Sequence, residues 1–247
     1  GLTPWGTVLS GEENFDQYFA NAESVTDPVV AERLARYGLE GADTERKWER
    51  FDNRFDIAAE PNEVNRFGWI VEIDPWDPNS VPVKHTALGR FKHEAATVHI
   101  TGDGTVVSYS GDDERFDYMY KFVSSRKMQP GNSRAAMRHN MTLLDAGTLY
   151  VAKLSGDHPD EIDGSGRLPE AGEFRGSGEW IPLLRANEDG SAESLVDGMS
   201  AEEVAVFTRL AGDRVGATKM DRPEDFEPNP VTGKVYVTNL NSDTVSI

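Results

Sequence analysis

The chain has 247 residues, no cysteine and a formal net charge of −18 from 25 basic and 43 acidic side chains. So acidic a surface repels phosphate backbones, which excludes nucleic-acid binding, and without cysteine the chain holds neither disulfides nor thiolate metal ligands. No apolar run approaches the roughly 20 residues that span a bilayer, and no signal-peptide pattern is present.

In chain order, "WGTVLS" (5–10) is the first predicted strand, and the polar "SGEEN" (10–14) ends it. "DPVVAERLARYGL" (27–39) predicts a helix: Asp27 is placed to cap it, Pro28 suits the first turn and Gly38 the end. "FGWIVEI" (67–73) is the next strand. "AATVHI" (95–100), "TVVSYS" (105–110) and "FDYMYKFVS" (116–124) follow as a meander. Asp103-Gly104 makes its first hairpin turn and "GDDERFD" its second connection. Residues 125–147 and 155–178 are polar, rich in Gly, Ser, Asp and Pro, and read as long loops around the strand "TLYVAKL" (148–154). "EWIPLL" (179–184) is a further strand. "SAEEVAVFTRLAGDRVGA" (200–217) reads as one helix with a Ser200/Glu203 capping box. The chain closes with "DRPEDFEPNP" (221–230), the turn "NPVTGK" (229–234) and the strand "KVYVTNL" (234–240).

Short, turn-bounded runs rich in Val, Ile, Tyr, Phe and Thr predict a mainly β fold. The expected architecture is a partial, incomplete β-propeller of antiparallel blades with a few helical insertions. It forms a single domain over 1–247; a β-sandwich is the second choice. The pieces share no strict period, which argues against a regular repeat propeller. The chain starts on a turn-plus-strand pattern and closes inside a second hairpin strand, so the expectation is a piece of a larger protein, truncated at both ends.

Four stretches place dense polar residues beside a strand: "SGEEN", "RFKHEAATV" (90–98), "SGDDERFDY" (110–118) and "DRPEDFEPNP". Strands around a propeller axis would bring such positions to one mouth. Carboxylates meeting there repel unless cations neutralise them; calcium prefers oxygen ligands and ferric iron accepts carboxylates. An arginine among them would face an anion such as phosphate. Each stretch also has a plain reading. Glu12 and Glu13 suit a solvated turn, and His93-Glu94 a strand-edge pair. Asp112 and Asp113 suit an Asx turn or a structural calcium, and Arg222 with Glu224 a surface ion pair. The tryptophans Trp5, Trp69, Trp76 and Trp180 read as blade packing. His85, His99, His139 and His158 show no metal-binding spacing, and no nucleotide loop or serine-nucleophile motif occurs.

"TPWGTVLSGEEN", "GRFKHEAATV", "YSGDDERFDYMYKFVSS", "GEWIPLL" and "DRPEDFEPNPVTGKVYVTN" occur in this order across nearly the whole chain and resemble the PhoX-type alkaline phosphatases. The resemblance implies a large β-propeller, exported to the periplasm or beyond, that hydrolyses small-molecule phosphate monoesters with an iron and calcium cluster (Fe3+ and Ca2+). It further implies that Glu13, Glu94 and Glu224 are metal ligands, with Glu12 a neighbour, and that Arg222 is the catalytic arginine that binds the substrate phosphate. Alternation along an extended segment would point residues 222 and 224 the same way, with Pro223 stiffening the backbone between them.

The family's cysteine iron ligand would lie a few residues before "TPWGT", and this chain starts at Gly1; further ligands are expected beyond residue 247. The expectation is therefore that this piece alone has an incomplete cluster and little activity. Two alternatives stand beside it: a calcium-dependent propeller lactonase, whose strand pattern "EDFEPNPVTGKVYVTN" would suit equally, and a non-catalytic propeller interaction module.

Overall fold

The computed structural model describes residues 1–156 and 176–239, and its regular structure is mainly β. A three-stranded sheet joins β1 (Val8–Gly11), β2 (Ile70–Ile73) and β3 (Val83–Lys84) in that order. The largest sheet is a six-stranded meander. It contains β4 (His93–Ile100), β5 (Thr105–Asp112), β7 (Met119–Lys127), β8 (Gly147–Gly156), β9 (Gly176–Ala186) and the edge strand β10 (Ala192–Ser194). The short β6 (Arg115–Asp117) pairs with β11 (Met220–Asp221), and β12 (Pro223–Pro228) forms a hairpin with β13 (Val235–Asn239). Every sheet pairing is antiparallel. These are blade-like sheets; no closed barrel and no parallel sheet occur among the described residues.

The expected meander is present. Val98 faces Ser108 and Ser108 faces Phe122 across β4, β5 and β7, and Asp103-Gly104 turns the first hairpin with Gly104 at φ 88°. Alternation divides β5. Val106 joins the main core on one face, with Tyr120, Phe122, Leu149, Val151 and Leu184. Tyr109 faces the other way and stacks on Phe226 of β12. The β12–β13 hairpin thus covers part of the second face. An aromatic core of its own, including Phe15, Phe19, Tyr37 and Ile57, holds the irregular segment between β1 and β2.

Helix α1 (Pro28–Ala35) starts as expected, with the Asp27 carboxylate accepting from Val29 and Val30 amides. The single helix expected over 200–217 breaks at Phe207 into α3 (Ala201–Val206) and α4 (Thr208–Val215). Carbonyls that would continue the ladder are taken by other donors. The Arg90 amide donates to Ala205 O at 3.0 Å, its Nη1 to Val206 O at 3.3 Å, and Thr208 Oγ1 to Val204 O at 2.9 Å. The capping box at Ser200 and Glu203 is formed.

Four further expectations are corrected. The loop expected over 125–147 holds the end of β7, the start of β8 and a helix, α2 (Arg134–Asn140), capped by the Ser133 side chain. The loop expected over 155–178 is strand at both margins, where β8 and β9 extend to Gly156 and back to Gly176; its remainder, with His158, lies outside the described residues. The strand expected over 116–124 divides into β6 and β7 at Tyr118, whose carbonyl accepts from the Asp112 amide. Trp5 and Trp69 are buried as expected and Trp180 partly so, but Trp76 is 70% exposed, its indole donating to Gly6 O at 2.9 Å. Residue 240, the expected end of the last strand, also lies outside the described residues.

Candidate metal centre

Two glycines draw the site together. A Cβ at Gly11, the last residue of β1, would lie 2.3 Å from the His93 carbonyl oxygen, and one at Gly111 on β5 only 2.0 Å from the Pro223 carbonyl oxygen. Only hydrogen fits at either crossing. The chemistry-bearing residues flank these contacts: Glu13 lies two residues past Gly11, Glu94 next to His93, Asp113 two past Gly111, and Arg222 and Glu224 on either side of Pro223.

Glu13, Glu94 and Asp113 each offer a carboxylate oxygen, and these atoms lie within 4.8 Å of one another. Arg222 closes the group from the hairpin side. Its Nε and Nη2 donate to the two Asp113 oxygens, each at 2.9 Å, and Nη2 lies 3.2 Å from Glu224 Oε1. The structure therefore brings Glu13, Glu94, Arg222 and Glu224 to one mouth and adds Asp113. Alternation is not how residues 222 and 224 come together, because Arg222, the residue before β12, has left-handed backbone (φ 49°). Ala95 is left-handed too (φ 61°), inside a bulge of β4 between Glu94 and Thr97. Strain of this kind costs about 1–2 kcal/mol at a non-glycine residue, and here it adjoins two of the converging side chains.

The electrostatics follow from the crowding. Burial, then repulsion from Glu13 and more weakly from Asp113 and Glu224, pushes the Glu94 carboxyl up to about 7. Burial and Asp113 also raise Glu224, against the pull of Arg222. The hydrogen bonds to Asp113 raise the Arg222 guanidinium. Four carboxylates sharing one arginine lack positive charge. Such a hard, oxygen-only donor set suits calcium or ferric iron, which would supply the missing charge.

Neighbouring acids go elsewhere. Both Glu12 oxygens bond Lys84 Nζ, at 2.7 and 2.9 Å, and one also accepts from the Trp69 amide. Asp112 and Asp113 do not serve one calcium together: Asp112 ends β5 with its carboxylate on Arg209, and Asp113, just past the strand, turns its carboxylate to Arg222. Asp112 points into the core, where its two oxygens accept from Arg209 Nε at 2.7 Å and Nη2 at 2.6 Å. Arg209 thereby supplies the positive charge expected there from a structural calcium. Burial lifts the Asp112 carboxyl to about 6, with Arg209 pulling it down. His93, beside Glu94, is buried with Nε2 on Gly89 O and Nδ1 on Ser110 Oγ, and burial lowers it to about 3.

Sequence reasoning gave Asp113 only an Asx-turn or structural-calcium role and did not place it with Glu13 and Glu94, and it missed two further residues. Buried Lys92, whose Nζ lies 2.8 Å from Glu114 and 3.3 Å from Asp16, shared the "RFKHE" stretch but carried no separate signal. Arg209 sits within a helix pattern and only the tertiary fold reveals its partner.

The family described as alkaline phosphatase PhoX matches residues 1–246. The solved structure of Pseudomonas fluorescens PhoX in complex with vanadate, a transition state analogue, is 45% identical and superposes with a TM-score of 0.78. That match covers 96% of this chain and 38% of the other, so the chain spans well under half of that relative. No curated protein matches. With nearly every residue inside the family match and a close structural superposition, the chain belongs to the PhoX alkaline phosphatase family.

Proposed function

We propose that this chain supplies part of the catalytic centre of a metal-dependent phosphomonoesterase using calcium and iron. Glu13, Glu94, Asp113 and Glu224 hold the cations, and Arg222 binds the substrate phosphate. The observation that carries this reading is the convergence of three carboxylates within 4.8 Å, closed by an arginine. Family membership favours it over the lactonase and the non-catalytic module, and the relative's complex with a transition-state analogue agrees with an anion-binding centre.

Arg222 now accommodates a carboxylate along one edge of its guanidinium, with two parallel bonds. A phosphate presents two oxygens at similar spacing, so the same edge fits the substrate. Charge-assisted bonds strengthen as negative charge builds on the transferring group; a donor of this kind contributes roughly 2.7–4 kcal/mol, about 10²–10³ in rate. The bound metal ions would polarise phosphate oxygens and offset developing charge. The substrates are small phosphate monoesters. The protein works in the periplasm or outside the cell; no described helix is long and apolar enough to cross a membrane.

The test is p-nitrophenyl phosphate hydrolysis by the intact protein, with metal analysis before and after chelation. Turnover that disappears on chelation and returns with calcium supports the reading. Chelation-resistant turnover, or none with calcium and iron bound, rejects it.

A further inference from the structure

We propose that Arg209 is a positioning residue for the carboxylate cluster, acting through Asp112 to fix Asp113 and the start of β4; this rests on the metal-binding reading above. Arg209 and Asp112 are both buried, 1% and 0% exposed. Neither faces the cluster. Their two-point pair nonetheless ties α4 to the β5 residue immediately before Asp113.

The tie extends to the neighbouring strand. Asp112 Oδ1 accepts from the Lys92 amide at 3.2 Å, and the Asp113 amide donates to Lys92 O at 3.0 Å. Lys92 stands two residues before Glu94, so one buried carboxylate sets the register of both a β5 ligand and a β4 ligand. The guanidinium is fixed independently of Asp112. Its Nη1 donates to Arg36 O at 3.0 Å, and it lies 5.0 Å from the centre of the Tyr37 ring. A lysine keeps the charge but cannot hold two carboxylate oxygens and a carbonyl in one plane.

Stability alone is a weak reason for such a pair, since well-packed apolar residues commonly replace a buried ion pair without loss. Its location suggests a geometric role. Arg209 holds the Asp112 carboxylate from the core and Lys92 O holds the Asp113 amide, while the Asp113 carboxylate feels the pull of Arg222 and the repulsion of Glu13 and Glu94. An unsecured turn would relax and spread the carboxylates apart.

The experiment titrates calcium calorimetrically into chelator-treated intact protein and records thermal unfolding without metal. The variants are Arg209→Lys and the apolar pair Arg209→Met with Asp112→Leu. His85→Gln serves as a remote buried control, and Glu94→Gln tests the cluster itself. The expected result is calcium affinity about 10–100-fold weaker in both Arg209 variants. The control should keep affinity even at equal loss of melting temperature, and the apolar pair should regain melting temperature without regaining affinity. Normal calcium affinity in either Arg209 variant, or a control equally weakened, overturns the positioning role while Glu94→Gln still weakens binding. If Glu94→Gln also binds calcium normally, the metal-binding reading fails, and the positioning role with it.

Discussion

Arg222 and Asp113, 109 residues apart in sequence, form a two-point ion pair with both N–O distances at 2.9 Å. The pair joins the β12–β13 hairpin to the end of β5 and puts the proposed substrate-binding group in direct contact with a proposed metal ligand. Arg222 and Glu224 should therefore separate in their effects. Glu224→Gln keeps shape and loses charge, so calcium binding should weaken and excess calcium should restore part of the turnover. Arg222→Lys keeps charge and loses the planar edge. It should leave metal content intact and lower turnover and phosphate inhibition by about 10²–10³, the scale of one transition-state donor. Metal analysis beside phosphate inhibition distinguishes them; an Arg222→Lys protein stripped of metal but binding phosphate normally would reverse the assignments.

Calcium uptake should release a proton near neutral pH. Glu94, raised to about 7, is partly protonated there, and a cation needs its ionised form. Affinity should therefore rise with pH through about 7 and level off above it. Titrations in buffers of different ionisation heat give the proton count. Release that is absent at pH 6.5, or equally large at pH 9, contradicts the assignment to Glu94.

His85 predicts an opposite slope for stability. Its Nε2 meets Glu72 at 2.8 Å and its Nδ1 meets Asp145 at 2.7 Å. Burial opposes the charged ring, but the bonds to Asp145 and Glu72 outweigh it and raise the pKa from 6.5 to about 9. The folded state binds the proton more tightly, so this contribution is complete below about 6.5 and lost as pH climbs through about 9. By linkage, its size is of the order of 3 kcal/mol. Denaturant unfolding of the parent at pH 6 and pH 10, compared with His85→Gln, measures it; equal pH dependence in both would locate the effect elsewhere.

Gly111→Ala should damage the site without touching a ligand. The new methyl would lie 2.0 Å from Pro223 O, and backbone cannot swing aside as a side-chain tip can. Overpacking of this kind costs about 1–3 kcal/mol. Chemical denaturation should show that loss, and calcium titration a weaker site as the hairpin is pushed off β5. Gly102→Ala, in open space, is the control.

Much of this was legible in the sequence because local chemistry dictated it. Asp103-Gly104 marked a hairpin, Asp27-Pro28 a helix start and Ser200 with Glu203 a capping box, and each signal acts within a few residues. The break at Phe207 was not legible, since donors from Arg90 cause it across more than a hundred positions. Helix α2 was obscured by the polar run around it, although Ser133 before Arg-Ala-Ala-Met was a usable cap signal. At the site, the family resemblance selected Glu13, Glu94, Arg222 and Glu224. The residue types alone left each of them open to a surface reading. Asp112 and Asp113 looked alike, and only the register of β5, with Arg209 on one side and Arg222 on the other, gave them different work.

The crossing of Gly111 and Pro223 also bears on when the centre can exist during biosynthesis. Glu13 leaves the ribosome near the beginning of this chain and Glu224 near its end, and the hairpin cannot dock until β5 has taken its place. Closing so long a loop comes late, because its entropy must be spent before the contacts it makes can repay it. A nascent chain would therefore carry Glu13, Glu94 and Asp113 without Glu224 or Arg222, and the proposed centre would be complete only when the last of these strands had arrived.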